Sequence, residues 1–170
     1  GNQEKIVLNT TEAKSNNSNF SQTDNWTSAL LDLKTYEGQN SSGGTYIAYA
    51  FASKTGYSKV GSYTGNGNAS GMFCYLGFKP AYIMLKRTDT SGERWNIKDN
   101  KRDGYNQTDP VLTADSSGVE YDDAQMDLLS NGFKIRTSAV STNASGGTYI
   151  YIAFAEAPLV GSNNVPATAR

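Results

Sequence analysis

The segment N-A-S-G-G-T-Y-I-Y-I-A-F-A at residues 143–155 decides how the rest of this chain is interpreted. After its glycine pair, residues 148–155 alternate with the period of two that a β-strand requires. One face carries Ile150, Ile152 and Phe154, and the other carries Tyr149, Tyr151 and two alanines. Because both faces are apolar, we expect a central strand that is covered on both sides, with the isoleucine face toward the core.

The same phrase occurs earlier, as N-S-S-G-G-T-Y-I-A-Y-A-F-A at residues 40–52. Gly43 aligns with Gly146, and Phe51 aligns with Phe154, at a spacing of 103 residues (146 − 43 and 154 − 51). The match extends backward to residues 7–8 against 111–112 and residues 31–35 against 133–137, with single-residue gaps. A repeat of this length has the size of a small sandwich domain, and it is far longer than a solenoid unit.

The remaining sequence favours short strands, because Gly, Ser, Thr, Asn and Tyr dominate it and long helical periodicity is absent. The predicted strands are 5–9, 29–35, 45–52, 59–64, 71–76, 81–87, 94–98, 110–113, 132–137 and 148–155. Residues 121–129 carry one short apolar stripe, which predicts a turn or a single short helix. The expected fold is all-β, an antiparallel β-sandwich of jelly-roll type.

The repeat predicts an unequal division of the chain. Residues 57–170 form one complete sandwich unit, whereas residues 1–56 correspond only to the second half of a preceding repeat. A half sandwich exposes apolar faces and bare strand edges. We therefore expect the first segment to be completed by a preceding segment of a longer precursor, by a neighbouring subunit, or by packing onto residues 57–170. The chain begins without a methionine, so we expect it to be trimmed from a longer precursor or to be one ordered portion of it.

Composition excludes several classes of function. The chain has no histidine and one cysteine, so histidine-dependent catalysis, histidine metal sites and intrachain disulfides are excluded. A net charge of −1 without a basic stripe argues against nucleic acid as a partner, and no apolar run is long enough to span a membrane. Cys74, in the apolar run M-F-C-Y-L, is predicted to be a buried thiol.

Six motifs follow one another from residue 61 onward. They are G-S-Y-T-G-N-G (61–67), L-G-F-K-P-A-Y-I-M-L-K-R (76–87), W-N-I-K-D-N-K-R-D (95–103), L-S-N-G-F-K-I-R (129–136), G-G-T-Y-I-Y-I-A-F-A-E-A-P (146–158) and the tail N-N-V-P-A-T-A-R (163–170). In this order they resemble a family of β-rich repeats in tail-fibre and other virion-surface proteins of tailed bacteriophages. The resemblance covers residues 57–170 and, more loosely, residues 1–56. It implies an extracellular virion or appendage role, a natural carboxyl end and no known catalytic residue.

The polar stretches of the chain are predicted to have structural roles. The loop G-N-G-N-A-S-G at 65–71 lacks the spacing of a dinucleotide site and is predicted as a hairpin-type connection. The acidic residues Glu120, Asp122, Asp123 and Asp127 lack the EF-hand pattern and are predicted to be solvated loop carboxylates. Calcium binding is an alternative for them, and a carboxylate pair for glycoside hydrolysis is the weaker one. The mixed-charge stretch 99–103 is predicted to form local ion pairs. We expect neither a metal ion nor a cofactor.

Aromatic residues and glycosylation signals supply the candidate sites. Tyr105, in the polar loop D-G-Y-N-Q-T, and Trp26 are candidates for stacking on sugar rings, whereas Trp95 is expected in the core. Tyr46, Tyr149 and Tyr151 are candidates for a subunit interface or for internal packing, with ligand contact as the weaker alternative. Asn-x-Ser/Thr sequons occur at Asn9, Asn16, Asn19, Asn25, Asn40, Asn68, Asn106 and Asn143.

These features together predict a non-enzymatic structural subunit of an extracellular appendage or virion surface. It would assemble with itself as a homo-oligomer, fibre or helical filament, through strand complementation or sheet packing, and contact host-surface glycans through polar loops. The alternatives are a stand-alone carbohydrate-binding module and a glycosylated subunit of a secreted cellular fibril. A glycosidase is the weakest alternative.

Overall fold

The structure, a computed structural model, describes residues 4–16, 33 and 38–157. The chain divides into two compact units, one of residues 1–7 and 14–50, the other of residues 8–13 and 51–170. The first unit contains an antiparallel pair of very short strands, β1 (Glu4–Lys5) and β2 (Ser15–Asn16). A search of the described residues finds no helix long and apolar enough to cross a membrane.

The second unit is an eight-stranded antiparallel sheet. Its strands are β3 (Ser58–Thr64), β4 (Phe73–Tyr75), β5 (Pro80–Arg87), β6 (Asn96–Asp99), β7 (Thr108–Thr113), β8 (Tyr121–Leu129), β9 (Gly132–Ile135) and β10 (Thr148–Ala155), with one short helix, α1 (Val140–Asn143), before β10. Their order is β3-β10-β5-β6-β7-β8-β9-β4. The predicted all-β antiparallel fold is confirmed, and the sheet curves until it nearly closes into a barrel with β3 and β4 at its edges.

Aromatic rings pack inside the curved sheet, both between neighbouring strands and across its interior. Tyr63 of β3 stacks on Tyr149 of β10 with ring centroids 4.8 Å apart. Phe133 of β9 meets Tyr151 of β10 edge to face at 5.3 Å. Such pairs contribute roughly 0.5–1.5 kcal/mol beyond the apolar area that they bury.

The orientation of β10 corrects two predictions. Tyr149 and Tyr151, predicted for internal packing or a subunit interface, point into the core and are buried, so packing is confirmed and the interface is wrong for both. The isoleucine face, predicted for the core, lies on the outer side and is only half-buried. Tyr149 can be buried because its polar tip finds partners: its hydroxyl donates to the Val140 carbonyl and accepts from the Ala144 N–H, both at 2.8 Å.

Residues 121–129, predicted as a turn or short helix, form the strand β8 instead. Ala124, Met126 and Leu128 alternate into the core, and polar residues lie between them. The register between β7 and β8 shifts between Thr108 and Pro110, and Ala124 adopts φ = 54° there. Pro110 has no N–H to give to a ladder, which is consistent with a bulge at this position.

The internal repeat is visible as a repeated turn. Gly43 and Gly146 both adopt φ = 75°, a conformation that favours glycine. In each copy the tyrosine that follows, Tyr46 or Tyr149, accepts a hydrogen bond from the N–H five residues before it, at 3.0 and 2.8 Å. The two stretches thus share a local conformation as well as a sequence.

The two copies differ after this turn. Residues 148–155 form β10 between β3 and β5, as predicted. Residues 45–52 were also predicted as a strand, yet they belong to none, and Ile47 and Tyr49 are 79% and 81% exposed. In β10 both edges are hydrogen-bonded to neighbours, which the described residues do not provide for 45–52. The strand prediction for 45–52 is therefore wrong for this structure.

Candidate functional site

A polar pocket of about 320 Å³ opens beside Tyr105 in the second unit. Its wall combines the loop between β6 and β7 with residues just before β5 and just after β10. Tyr105 lies on its rim with 89% of the residue exposed. The exposed ring of this predicted sugar contact therefore stands next to a polar cavity.

The loop that carries Tyr105 is fixed at its beginning by Asp99. One Asp99 carboxylate oxygen accepts the backbone N–H groups of Lys101 and Arg102 at 2.8 and 3.1 Å. Burial disfavours the charge, but these N–H bonds and the Arg102 guanidinium lower the pKa of Asp99 overall. Arg102 also pairs with Asp99 at 2.6 Å and with Glu120 at 2.8 Å, so the predicted local ion pairs are confirmed.

Asn106 fixes the loop next to Tyr105. Its side-chain Nδ2 donates to the Leu128 carbonyl at 3.0 Å, and its Oδ1 accepts the Leu128 N–H at 2.8 Å. The Asn106 side-chain amide thereby pairs with the Leu128 backbone in the way that a residue of a neighbouring strand would. This restraint holds Tyr105 at the pocket while leaving its ring open to solvent.

The pocket offers both donors and acceptors. Glu156 pairs with Lys79 at 2.7 Å and accepts from Asn100 Nδ2 at 2.7 Å. Asn100 Oδ1 and Thr108 Oγ1 are buried and have no hydrogen-bond partner among the described residues. Buried polar atoms without partners are uncommon in native proteins, and they suit a ligand rich in hydroxyl groups.

The other predicted site residues fall in several places. Trp26, Asn19 and Asn25 lie outside the described residues. Tyr46 is half-exposed, and its hydroxyl oxygen accepts the Ser41 N–H. The exposed sequon asparagines are Asn9, Asn16, Asn40, Asn68 and Asn106. Trp95 is buried, as predicted.

Asn143 corrects the prediction of a glycosylation site, because it is fully buried. Its Nδ2 donates to Asn66 Oδ1, to the Asn68 carbonyl and to the Thr137 carbonyl at 2.8–2.9 Å. Its Oδ1 accepts the Asn66 N–H at 2.9 Å. The nitrogen that would carry a glycan is thus fully used in the folded chain, where it fixes the 65–71 loop.

The 65–71 loop connects the two edge strands, β3 and β4, which form no ladder with each other. The prediction of a hairpin-type connection is therefore wrong in its hydrogen bonding. Gly67 does adopt φ = 67°, and its N–H donates to the Asn143 carbonyl at 2.9 Å. Hydrogen bonds between this loop and residues 143–147 take the place of the missing ladder.

Sequence reasoning missed a buried lysine on β6. Lys98 has no exposed surface, and its ammonium donates to the carbonyls of Asp109 and Asp123 at 2.7 Å and of Thr108 at 3.3 Å. These carbonyls flank the bulge between β7 and β8. Burial lowers the pKa of Lys98 to about 8, although the Asp109 and Asp123 carboxylates oppose the shift. Only its alternation with apolar Ile97 on β6 could have hinted at this position.

Cys74 is a buried free thiol, as predicted, and burial raises its pKa to about 12.

The acidic residues that were candidates for a calcium site pair with different arginines: Glu120 pairs with Arg102, and Asp127 pairs with Arg136 at 3.5 Å. Within the described ranges, no three acidic or cysteine side chains are grouped as a metal site would need.

Comparison with known proteins yields a family without an assigned activity. No curated protein and no solved structure matches the chain. Residues 1–158 match the family described as a domain of unknown function (DUF7483), so the chain belongs to this family.

Proposed function

We propose that this protein is a non-enzymatic structural subunit of an extracellular appendage or virion surface, of the phage tail-fibre or decoration type. It assembles with copies of itself and contacts glycans through polar loops. The proposal extends the resemblance of residues 57–170, and more loosely of residues 1–56, to phage repeat proteins. One structural observation carries the self-assembly: residues 45–52 repeat the sequence of β10 but form no strand, and Ile47 and Tyr49 are largely exposed.

Exposure of this segment leaves apolar surface to be buried. Ile47, Tyr49 and Phe51 are 79%, 81% and 60% exposed. Three large apolar side chains in one alternating stretch are typical of an interaction site, because burying each contributes roughly 1.5–3 kcal/mol. A second apolar area supports sheet packing as another route: a groove of about 300 Å³ on the outer face is lined by Val60, Met84, Ile150 and Ile152, among others.

The test is sedimentation velocity over a wide range of protein concentration. We expect reversible assembly at micromolar concentration and at least a tenfold weaker assembly for the double variant Ile47→Lys/Tyr49→Lys. Val119→Lys is the matched control, because Val119 is 88% exposed and lies in a loop outside the repeated segment. A wild-type chain that stays monomeric up to hundreds of micromolar would refute the proposal of self-assembly.

A second function, carbohydrate binding, is favoured by the pocket beside Tyr105. The exposed ring provides a stacking surface, and Asn100 Oδ1 and Thr108 Oγ1 provide unused hydrogen-bonding groups. This site serves either the assembled subunit or a stand-alone binding module. A glycan array followed by calorimetry on the hits is the measurement, with sub-millimolar binding expected.

Two tyrosine variants distinguish stacking on the Tyr105 ring from the unspecific effect of removing a partly exposed tyrosine. Tyr105→Ala is expected to weaken glycan binding at least tenfold, whereas Tyr121→Ala, which removes a tyrosine that is 40% exposed on β8, leaves binding unchanged. Equal binding by wild type and Tyr105→Ala would exclude this pocket as the glycan site.

A further inference from the structure

We propose that the gap between β3 and β4, the seam of the sheet, accepts residues 45–52 of a second copy of this chain as an added β-strand. The inference rests on the proposed self-assembly and names the acceptor surface. A ninth strand in the seam would complete the closure that the eight strands leave unfinished.

The seam is an opening bridged by a side chain. β3 and β4 are the two edges of the sheet. Lys59 of β3 extends its ammonium to the Tyr75 carbonyl of β4 at 2.8 Å, and this ammonium lies 5.4 Å from the centroid of the Tyr75 ring. A cavity of about 390 Å³ adjoins this contact, lined by Ser58, Lys59, Tyr75 and Leu76, among others. One flexible lysine thus occupies a place where backbone hydrogen bonds are missing.

The edge of β3 presents backbone groups to the seam. The Ser58 N–H donates to the Lys54 carbonyl at 3.0 Å, and the Val60 N–H donates to Ser53 Oγ at 3.0 Å, on the side away from β10. Because every second residue of an antiparallel strand directs its N–H and C=O to the same side, Ser62 and Thr64 also direct theirs to the seam. On this side β3 has no ladder partner among the described residues beyond the Lys54–Ser58 bridge.

Residues 45–52 have the side-chain pattern of a strand in this sheet. At the spacing of 103, Tyr46, Ala48 and Ala50 correspond to Tyr149, Tyr151 and Ala153, which point into the core. Two alanines on the inner face suit a narrow opening. The outer face would place Ile47 and Tyr49 beside Val60 and Tyr75, which are 46% and 59% exposed along the seam. Backbone pairing and apolar burial would both favour the added strand.

A second copy suits the seam better than the chain's own segment. The chain folds back along β3 through the bridge between Lys54 and Ser58. The next contact is made by a side chain: Ser53 Oγ accepts the Val60 N–H at 3.0 Å and donates to the Val60 carbonyl at 3.3 Å. The Ser53 hydroxyl thereby ends the local hairpin and leaves the edge free from Ser62 onward. Since each copy has one donor segment and one seam, the contact is heterologous and propagates as a ring or filament.

Hydrogen exchange on the wild-type chain of residues 1–170, combined with sedimentation, tests this directly. At concentrations where the protein is assembled, we expect the amides of Ser62 and Thr64 and those within 45–52 to exchange at least tenfold more slowly than in the monomer. A seam variant, Tyr75→Lys, is expected to weaken assembly at least tenfold, and Val119→Lys serves again as the control. Both substituted side chains are exposed, so circular dichroism of the two variants should match that of the wild type.

The outcomes separate this inference from the proposed function. An assembly in which Ser62 and Thr64 exchange as fast as in the monomer, or which Tyr75→Lys leaves unchanged, would overturn the seam as acceptor but keep self-assembly. A monomer in which these amides are already protected would show that the chain's own segment fills the seam. A monomer at every concentration with unprotected amides would refute both proposals.

Discussion

Lys98 of β6 shows how one side chain can donate hydrogen bonds to carbonyls that the backbone of a neighbouring strand pair, β7 and β8, leaves without a donor. Its ammonium takes three carbonyl oxygens at the bulge between β7 and β8, where Pro110 has no N–H to offer. Lys98→Met keeps the length and apolar character of the side chain but leaves these carbonyls without their donor. We expect a loss of about 3 kcal/mol in the free energy of unfolding, measured by urea denaturation. The control Lys101→Met, at an exposed lysine, should change it by less than about 0.5 kcal/mol.

The same lysine predicts a pH dependence of stability. Its pKa in the folded chain is about 8, below the ordinary value of 10.5. Between these two values the unfolded chain binds more protons than the folded chain, so the contribution of Lys98 to stability rises with pH across this window. The rise is at most about 3 kcal/mol.

The measurement is the difference in unfolding free energy between wild type and Lys98→Met from pH 7 to pH 10.5. Tyr63 and other buried tyrosines have raised pKa values and lower the stability above pH 10. Taking the difference between the two proteins removes this shared contribution. A flat difference across the window would show that Lys98 keeps an ordinary pKa in the folded chain.

Asn143 is a buried side chain that links two elements of the fold. It joins the end of α1 to the loop that connects β3 and β4. Four hydrogen bonds of its amide would be lost in Asn143→Ala, and their buried partners would remain. We expect a destabilisation of about 2–4 kcal/mol, from thermal or urea unfolding. Asn40→Ala is the matched control, because Asn40 holds the same place in the repeat but is exposed. Similar losses for both variants would contradict the assigned role of Asn143.

The strands also show what the sequence can predict. Residues 148–155 were predicted with the observed bounds, because alternating β-branched and aromatic residues follow a glycine turn. β8 was missed, since acidic residues around Ala124 obscure the alternation of Met126 and Leu128. Residues 45–52 carry nearly the sequence of β10 and form no strand. A ladder needs neighbours on both sides, which local sequence cannot provide.

The candidate pocket was predictable only in part. Tyr105 was recognisable as an exposed aromatic residue in a polar loop. Its pocket partners Lys79, Asn100 and Glu156 are the residue before β5, the residue after β6 and the residue after β10. These positions meet only because β5 lies between β6 and β10 in the sheet, an order that no local pattern reveals. Asn143 likewise looked like a glycosylation signal, and only its burial assigns it a structural role.

For the whole molecule, the contrast between a packed sheet and an exposed repeat segment can be tested with one residue type. Ile83 of β5 is fully buried, whereas Ile47 is 79% exposed. At a concentration below assembly, Ile83→Ala is expected to lower the free energy of unfolding by about 3 kcal/mol, through lost burial and the cavity left behind. Ile47→Ala should change it by less than about 0.5 kcal/mol. Urea denaturation followed by tryptophan fluorescence measures both.

Because burial of Ile47 is proposed to come from a second copy, raising the protein concentration should increase the stability of wild type more than that of Ile47→Ala. A large loss for Ile47→Ala in the dilute monomer would mean that residues 45–52 already pack within a single chain.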